Sequence, residues 1–141
     1  MAGTGAGDLR AADLVGVVQN LLNRVKALEL AAAVRAVTFV ADASSTSSAS
    51  YVRMAWSSFA RSGSQLAVNV SLTLSGATSV DLQLRADGTQ IGVANATGSG
   101  TVVLSGFLPA SWDFGAHKTV EVQARVNAGS VTVAVVGASH R

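Results

Sequence analysis

The sequence predicts a long N-terminal α-helix of coiled-coil type, followed by an all-β domain: an antiparallel sandwich of seven or eight strands with a jelly-roll arrangement. Three observations predict it. Apolar residues between Leu9 and Val34 recur at alternating steps of three and four. Beyond Val34 the apolar period drops to two. The runs with that period are short and separated by Gly- and Ser-rich turns, the pattern of a sandwich or barrel. The expected division is an arm over residues 1–8, a helix over 9–34 and the sandwich over 35–141.

The arm is rich in Gly and Ala, which lose the most entropy or gain the least contact on ordering, so it is expected to be flexible unless docked. Asp8 or Asp13 is the expected N-cap, its carboxylate at the positive end of the helix. In heptad terms Ala11, Val18, Val25 and Ala32 take position a, and Leu14, Leu21 and Leu28 take d. Val at a with Leu at d favours two strands in a parallel coil. Val15, Val17 and Leu22 at e and g pull the other way by widening the apolar face. Arg24 at g and Glu29 at the next e fall where parallel neighbours meet across the seam. The six residues Arg24-Val25-Lys26-Ala27-Leu28-Glu29 resemble the trimerisation motif of short parallel coiled coils, which reads Arg, apolar, any, any, apolar, Glu. That resemblance implies a homotrimer, with Leu14, Val18, Leu21, Arg24, Val25, Leu28 and Glu29 making its seam. The alternative is an amphipathic helix folded onto its own domain. Against it stands the polar outer face of Gln19, Asn20, Asn23 and Lys26.

Val37, Phe39 and Ala41 open the first strand, and the Ser, Thr and Ala run 44–50 reads as a loop. Over Tyr51–Phe59 the set Val52, Met54 and Trp56 alternates with Tyr51, Arg53 and Ala55, which predicts a strand with Trp56 inward. Leu66, Val68, Val70, Leu72 and Leu74 form the cleanest alternation in the chain. Val80, Leu82, Leu84 and Ala86 follow, and Asp87-Gly88 supplies a tight hairpin into residues 90–95. Residues 101–108 form a short strand before a loop over 109–116. Residues 117–127 and 130–138 are read as a closing hairpin about Ala128-Gly129. Charge proposes one pairing. Antiparallel alignment of 80–86 with 120–126 sets Asp81 opposite Arg125, Gln83 opposite Gln123 and Arg85 opposite Glu121, whereas the parallel alignment opposes like charges.

Composition narrows the functional classes. Of 141 residues 49% are hydrophobic and only 13% charged, which suits a chain that buries surface against copies of itself. The formal net charge is +2 with no basic run, so a nucleic-acid surface is not expected. There is no cysteine, which excludes disulfides and thiolate metal sites. No run approaches the length of a membrane span and the first residues lack a signal-peptide pattern, so a soluble protein without membrane insertion or a secretory signal is expected.

Catalysis needs convergent groups, and here they are few: two histidines, His117 and His140, and two glutamates, Glu29 and Glu121. No H-E-x-x-H, G-x-S-x-G or phosphate loop occurs, and Ser111, Asp113 and His117 follow no triad pattern, so no catalytic residue, metal site or cofactor is expected. The one clustering of aromatic and polar residues outside a strand is Trp112, Asp113 and Phe114 with His117. An aromatic face beside a carboxylate can stack on a sugar and accept its hydroxyl hydrogen bonds. The plainer reading, favoured by the residues, is that Trp112 and Phe114 plug one end of the sandwich or a subunit interface.

A helix resembling a trimeric coiled coil that leads directly into a terminal β domain is similar to the short fibre, spike and minor tail proteins of tailed bacteriophages. The closing segment from Thr119 to Val133 is similar to the last strands of such proteins from phages of actinobacteria. The resemblance implies a homotrimeric structural protein on the virion surface. It would be attached to other virion proteins through the arm and helix and directed at a host-surface receptor or glycan. The alternatives are a capsid decoration or head fibre with a purely architectural role, and a non-viral trimeric adhesin or lectin domain.

Overall fold

The computed structural model describes residues 13–27 and 34–141. The chain divides into two compact units, residues 1–33 and 34–141.

In the first unit residues 13–27 form one α-helix, α1, about 22 Å long at 1.5 Å per residue. Every residue of α1 is exposed in the single chain, including Leu14, Val15, Val17, Val18, Leu21, Leu22 and Val25 at 47–70%. Asp13 is already helical, so it is not the cap residue, and Asp8, Leu28 and Glu29 lie outside the described residues. The helix does not reach Val34, which is non-helical and precedes a strand. Of the expected helix 9–34, residues 13–27 are helical, Val34 is not, and residues 9–12 and 28–33 lie outside the described residues.

The second unit is a jelly roll of ten strands: β1 (Arg35–Ala36), β2 (Val40–Ala41), β3 (Ser45–Thr46), β4 (Val52–Ala60), β5 (Gln65–Ser75), β6 (Val80–Ala86), β7 (Thr89–Ala96), β8 (Gly100–Phe107), β9 (His117–Val126) and β10 (Ser130–His140). One sheet runs β1-β10-β5-β8, with β3 also on β10; the other runs β2-β4-β9-β6-β7. All pairings are antiparallel. The seven long strands β4 to β10 alternate between the sheets except for the β6–β7 hairpin, which is the double-sheet winding of a jelly roll.

Alternation decides which side chains face the gap between the sheets. Leu66, Val68, Val70 and Leu72 from one sheet meet Val80, Leu82, Leu84, Val120 and Val122 from the other, all buried. The register proposed from charge is present in full, with Asp81 opposite Arg125, Gln83 opposite Gln123 and Arg85 opposite Glu121. At the β6–β7 turn both Asp87 (φ 50°) and Gly88 (φ 78°) are left-handed, the twist that a two-residue hairpin requires.

Three expectations need correction. The first strand, expected to open at Val37, is two short ones, β1 just before Val37 and β2 after Phe39, in opposite sheets. The chain changes sheets between them, and Val37 N–H donates to Ala138 O at 3.0 Å on the way. The loop 44–50 contains β3, anchored on β10. The closing hairpin is absent, since β9 lies between β4 and β6 in one sheet while β10 lies beside β5 in the other. The turn at 127–129 is therefore an arch between sheets. Gly129 makes it possible: its φ is 66°, and a Cβ there would overlap the backbone of Ser75, Gly76 and Ala77. Each strand supplies an uninterrupted apolar face, and an arch lets both faces enter the same core.

Candidate binding face

Trp112 is fully buried. Its indole N–H donates to Ala116 O at 2.7 Å and its ring lies 5.2 Å from that of Phe59, which in turn lies 4.9 Å from the His140 ring. Arg61 ties the loop down by donating to Pro109 O at 3.0 Å and Trp112 O at 2.5 Å. Its guanidinium also sits 4.4 Å over the Phe114 ring. His140 completes this end of the sandwich. Its Nε2 receives the backbone N–H groups of Ser62 and Gly63, both at 3.0 Å, so it must be the unprotonated nitrogen, and Nδ1–H donates to Gln65 O at 2.8 Å.

The four loop residues singled out from the sequence therefore separate. Trp112 is the plug that the plainer reading expected, and its buried ring has no surface to offer a sugar, which removes it from the candidate ligand contacts. Asp113, Phe114 and His117 remain exposed, but without Trp112 they form no aromatic platform beyond Phe114, already covered on one side by Arg61. Of the seam residues, Leu14, Val18, Leu21, Arg24 and Val25 all lie on α1 and are exposed.

The structure assembles a different candidate on the outer face of the sheet β2-β4-β9-β6-β7. β4 carries a bulge at Met54: Arg53 is level with Gln123 and Ala55 with Val122, leaving Met54 as the extra residue. Met54 and Ala55 are both buried, and the alternation is inverted beyond them. Ser57 and Phe59 turn inward, and Trp56 turns outward, level with Val40 on β2 and Glu121 on β9. The inward Trp56 expected from the sequence is thus corrected. Among the described residues its indole N–H has no hydrogen-bond partner.

Beside Trp56 runs a ladder of planar polar side chains. Gln83 Nε2 donates to Gln123 Oε1, Gln123 Nε2 to Glu121 Oε2 at 2.9 Å, and Arg53 to Glu121 Oε1 at 3.4 Å and Asp42 Oδ2 at 2.7 Å. A second row crosses the sheet next to it. Asn95 donates to Asp81 Oδ1 at 2.7 Å, Arg125 donates to Asp81 Oδ2 at 3.1 Å, and Arg125 lies 4.4 Å over the Tyr51 ring. The Asn95 amide, and after it Arg125, hold the Asp81 carboxyl below its ordinary value. The Asp42 carboxylate, hydrogen-bonded to Arg53, holds that guanidinium above its ordinary value. The side chains are thus held in fixed orientations on a rigid sheet, with a partnerless indole among them.

Chemically this face can stack a ring against Trp56 and exchange hydrogen bonds with hydroxyls, the two contacts by which proteins hold sugars. Among the described residues no three His, Asp or Glu side chains gather to hold a metal ion, and no helix is long and apolar enough to cross a membrane. The sequence signal for Trp56 was slight: counting back from Phe59 rather than forward from Val52 places it outward, and only the bulge reconciles the two counts.

No protein-family model and no curated protein matches the chain. Among solved structures it is similar to a cyclase from Fischerella sp. TAU, at 12% identity and a TM-score of 0.44 over 73% of this chain and 62% of that one. It is also similar to the C-terminal domain of the sugar-binding protein EclA, at 18% identity and a TM-score of 0.47 over 72% of this chain and 75% of that one. A third likeness is to the subviral particle of infectious bursal disease virus, at 13% identity and a TM-score of 0.47 over 77% of this chain and 32% of that one. The chain thus spans less than two thirds of the cyclase's length, and scores this low assign it no function.

Proposed function

We propose that the chain is a homotrimeric structural protein of a tailed-phage virion, a short fibre or minor tail protein. In this reading a three-stranded helical stalk carries three jelly-roll heads, and each head offers its Trp56 face to a host-surface glycan. The observation that carries the reading is α1. Seven large apolar side chains on its fifteen described residues stand 47–70% exposed, and an isolated single helix is marginal in water without a partner. Burying them from that half-exposed state is worth roughly 5–10 kcal/mol per helix. The head meanwhile has a core of its own.

Three copies satisfy the helix and also serve recognition. Single sugar contacts are weak, and three faces on one stalk raise avidity without strengthening any one of them. Docking to other virion proteins falls to the arm and helix, and the expected work is attachment rather than catalysis. The test has two steps. Light scattering across a dilution series reads the mass, expected at three times 14.2 kDa. A glycan array is then probed with the native chain and with Trp56→Ala. Binding lost in the variant supports the reading; a persistent monomer removes the stalk, and a trimer that binds no glycan or host cell removes the ligand.

One observation favours a second reading, that of an architectural decoration without a ligand. The ladder beside Trp56 is largely satisfied by its own members, as a solvent-facing sheet without a partner would be. The trimer that binds nothing is the outcome that selects it.

A further inference from the structure

On the Trp56 face one carboxylate keeps bonding capacity beside the indole. Glu121 is level with Trp56 on the adjoining strand, so the two side chains are cross-strand neighbours on the same side of the sheet. A carboxylate has about four acceptor sites and donates nothing. Glu121 uses one on each oxygen, Oε2 for Gln123 at 2.9 Å and Oε1 for Arg53 at 3.4 Å, and its side chain is still 28% exposed. Both donors belong to the ladder, on one side of the Trp56–Glu121 row. The row on the other side is Ser58 level with Thr119, both exposed, and among the described residues neither hydroxyl has a hydrogen-bond partner.

We propose that Trp56 and Glu121 together select neutral sugars: the ring stacks on the half-buried indole, and two of its hydroxyls, on adjacent carbons, donate to the two oxygens of Glu121. The inference rests on the glycan reading above and adds to it the class of glycan and the residue that chooses it. The chemistry of the face decides the class. An acceptor-only group beside a stacking surface asks for donors, and the vicinal hydroxyls of a sugar are donors spaced to meet both oxygens of a carboxylate. A sialic acid, uronate or sulfated sugar brings acceptors and negative charge instead, and is repelled by Glu121. No arginine of the face is left to reverse that preference. Arg53 is bonded to Asp42 and Glu121, Arg125 to Asp81, and Arg85, level with Glu121 on β6, turns away to Gly88 O. Three arginines thus stand against the three carboxylates Asp42, Asp81 and Glu121, and the face has no net charge with which to attract an anion. The open row of Ser58 and Thr119 adds uncharged groups that can both donate and accept.

The test uses the full chain on an array holding neutral glycans together with sialylated, uronate-containing and sulfated ones. The native chain is expected to bind neutral glycans only, and to lose them when the adjacent hydroxyls are O-methylated. Glu121→Gln, nearly isosteric, puts a donor in place of one acceptor oxygen and is expected to weaken that binding about tenfold or more, as for loss of a hydrogen bond to a charged group. Trp56→Ala abolishes it. Binding confined to anionic glycans and lost in Trp56→Ala overturns this inference and leaves the glycan reading standing, as does neutral binding that Glu121→Gln leaves unchanged. A native chain that binds no glycan overturns both. Where Glu121→Gln does not fold, the native chain's ranking of neutral over anionic and O-methylated glycans decides the matter alone.

Discussion

Truncating Trp112 separates a structural plug from a ligand contact. In Trp112→Ala a fully buried indole is removed, a change that costs about 3–5 kcal/mol in a packed core. The Ala116 carbonyl loses its donor, and the Pro109 and Trp112 carbonyls held by Arg61 lose the wall that orients them, adding ~1 kcal/mol. Phe59, stacked between Trp112 and His140, is left facing a void. The sum, ~4–6 kcal/mol, is a large part of the 5–15 kcal/mol typical of a domain. With a urea m-value of ~1.5–2 kcal/mol/M, it lowers the midpoint by roughly 2–4 M. Trp112→Phe keeps most of the volume and is expected to recover more than half of that loss. The assay is urea unfolding followed by far-UV circular dichroism, since only Trp56 remains to fluoresce. A Trp112→Ala variant with an unchanged midpoint would refute the reasoning, because a ring that can be deleted at no cost is not part of the packing. Loss of glycan binding with stability intact would return the loop to the binding site.

The same geometry sets further outcomes. Trp56→Ala is expected to remove glycan binding and to lower the urea midpoint by roughly 0.5–1.5 M, less than Trp112→Ala, since the ring is half-buried on the sheet rather than enclosed in the core. Leu14→Lys combined with Leu21→Lys places charge at two exposed d positions and should reduce the light-scattering mass to that of one chain, with the β-sheet circular dichroism signal retained by the head. Gly129→Ala should destabilise by about 2 kcal/mol or more, because positive φ and backbone overlap act together. Gly88→Ala, with positive φ but open space around it, should cost only about 1 kcal/mol, and urea unfolding of the pair measures the difference. The ion pair of Asp81 with Arg125 is exposed, so a charge-swap cycle should show a coupling of about 0.5 kcal/mol that shrinks in salt. The folded state holds the Asp81 carboxyl below 3.8, so its stabilisation is present above that pH and is lost as pH falls through the lowered value. Asp81→Asn should therefore flatten stability against pH only on that acid limb.

The parts of the fold legible in the sequence are those set by local pattern or by pairs of residues. Alternation over residues 66–74 fixes a strand whichever sheet it joins, Asp87-Gly88 supplies a turn whose twist only such residues accept, and opposed charges select the register between β6 and β9. The parts that were not legible depend on a third element. Whether Asn127-Ala128-Gly129 closes a hairpin or arches between sheets is decided by the backbone of residues 75–77, against which Gly129 packs. The orientation of Trp56 turns on one extra residue at Met54, which is apolar and so fits either alternation. Misplacing that residue is what turned Trp56 inward; Trp112 in its loop is buried as the plainer reading of the sequence expected.

The burial of Trp112 bears on how the molecule divides its surface. A loop at the end of a sandwich can be remodelled freely, but here Arg61 and the buried Trp112 bind it into the core, so it cannot also yield to a ligand. In the proposed reading recognition falls to a sheet face, where side-chain positions are fixed by strand geometry and by hydrogen bonds to neighbours.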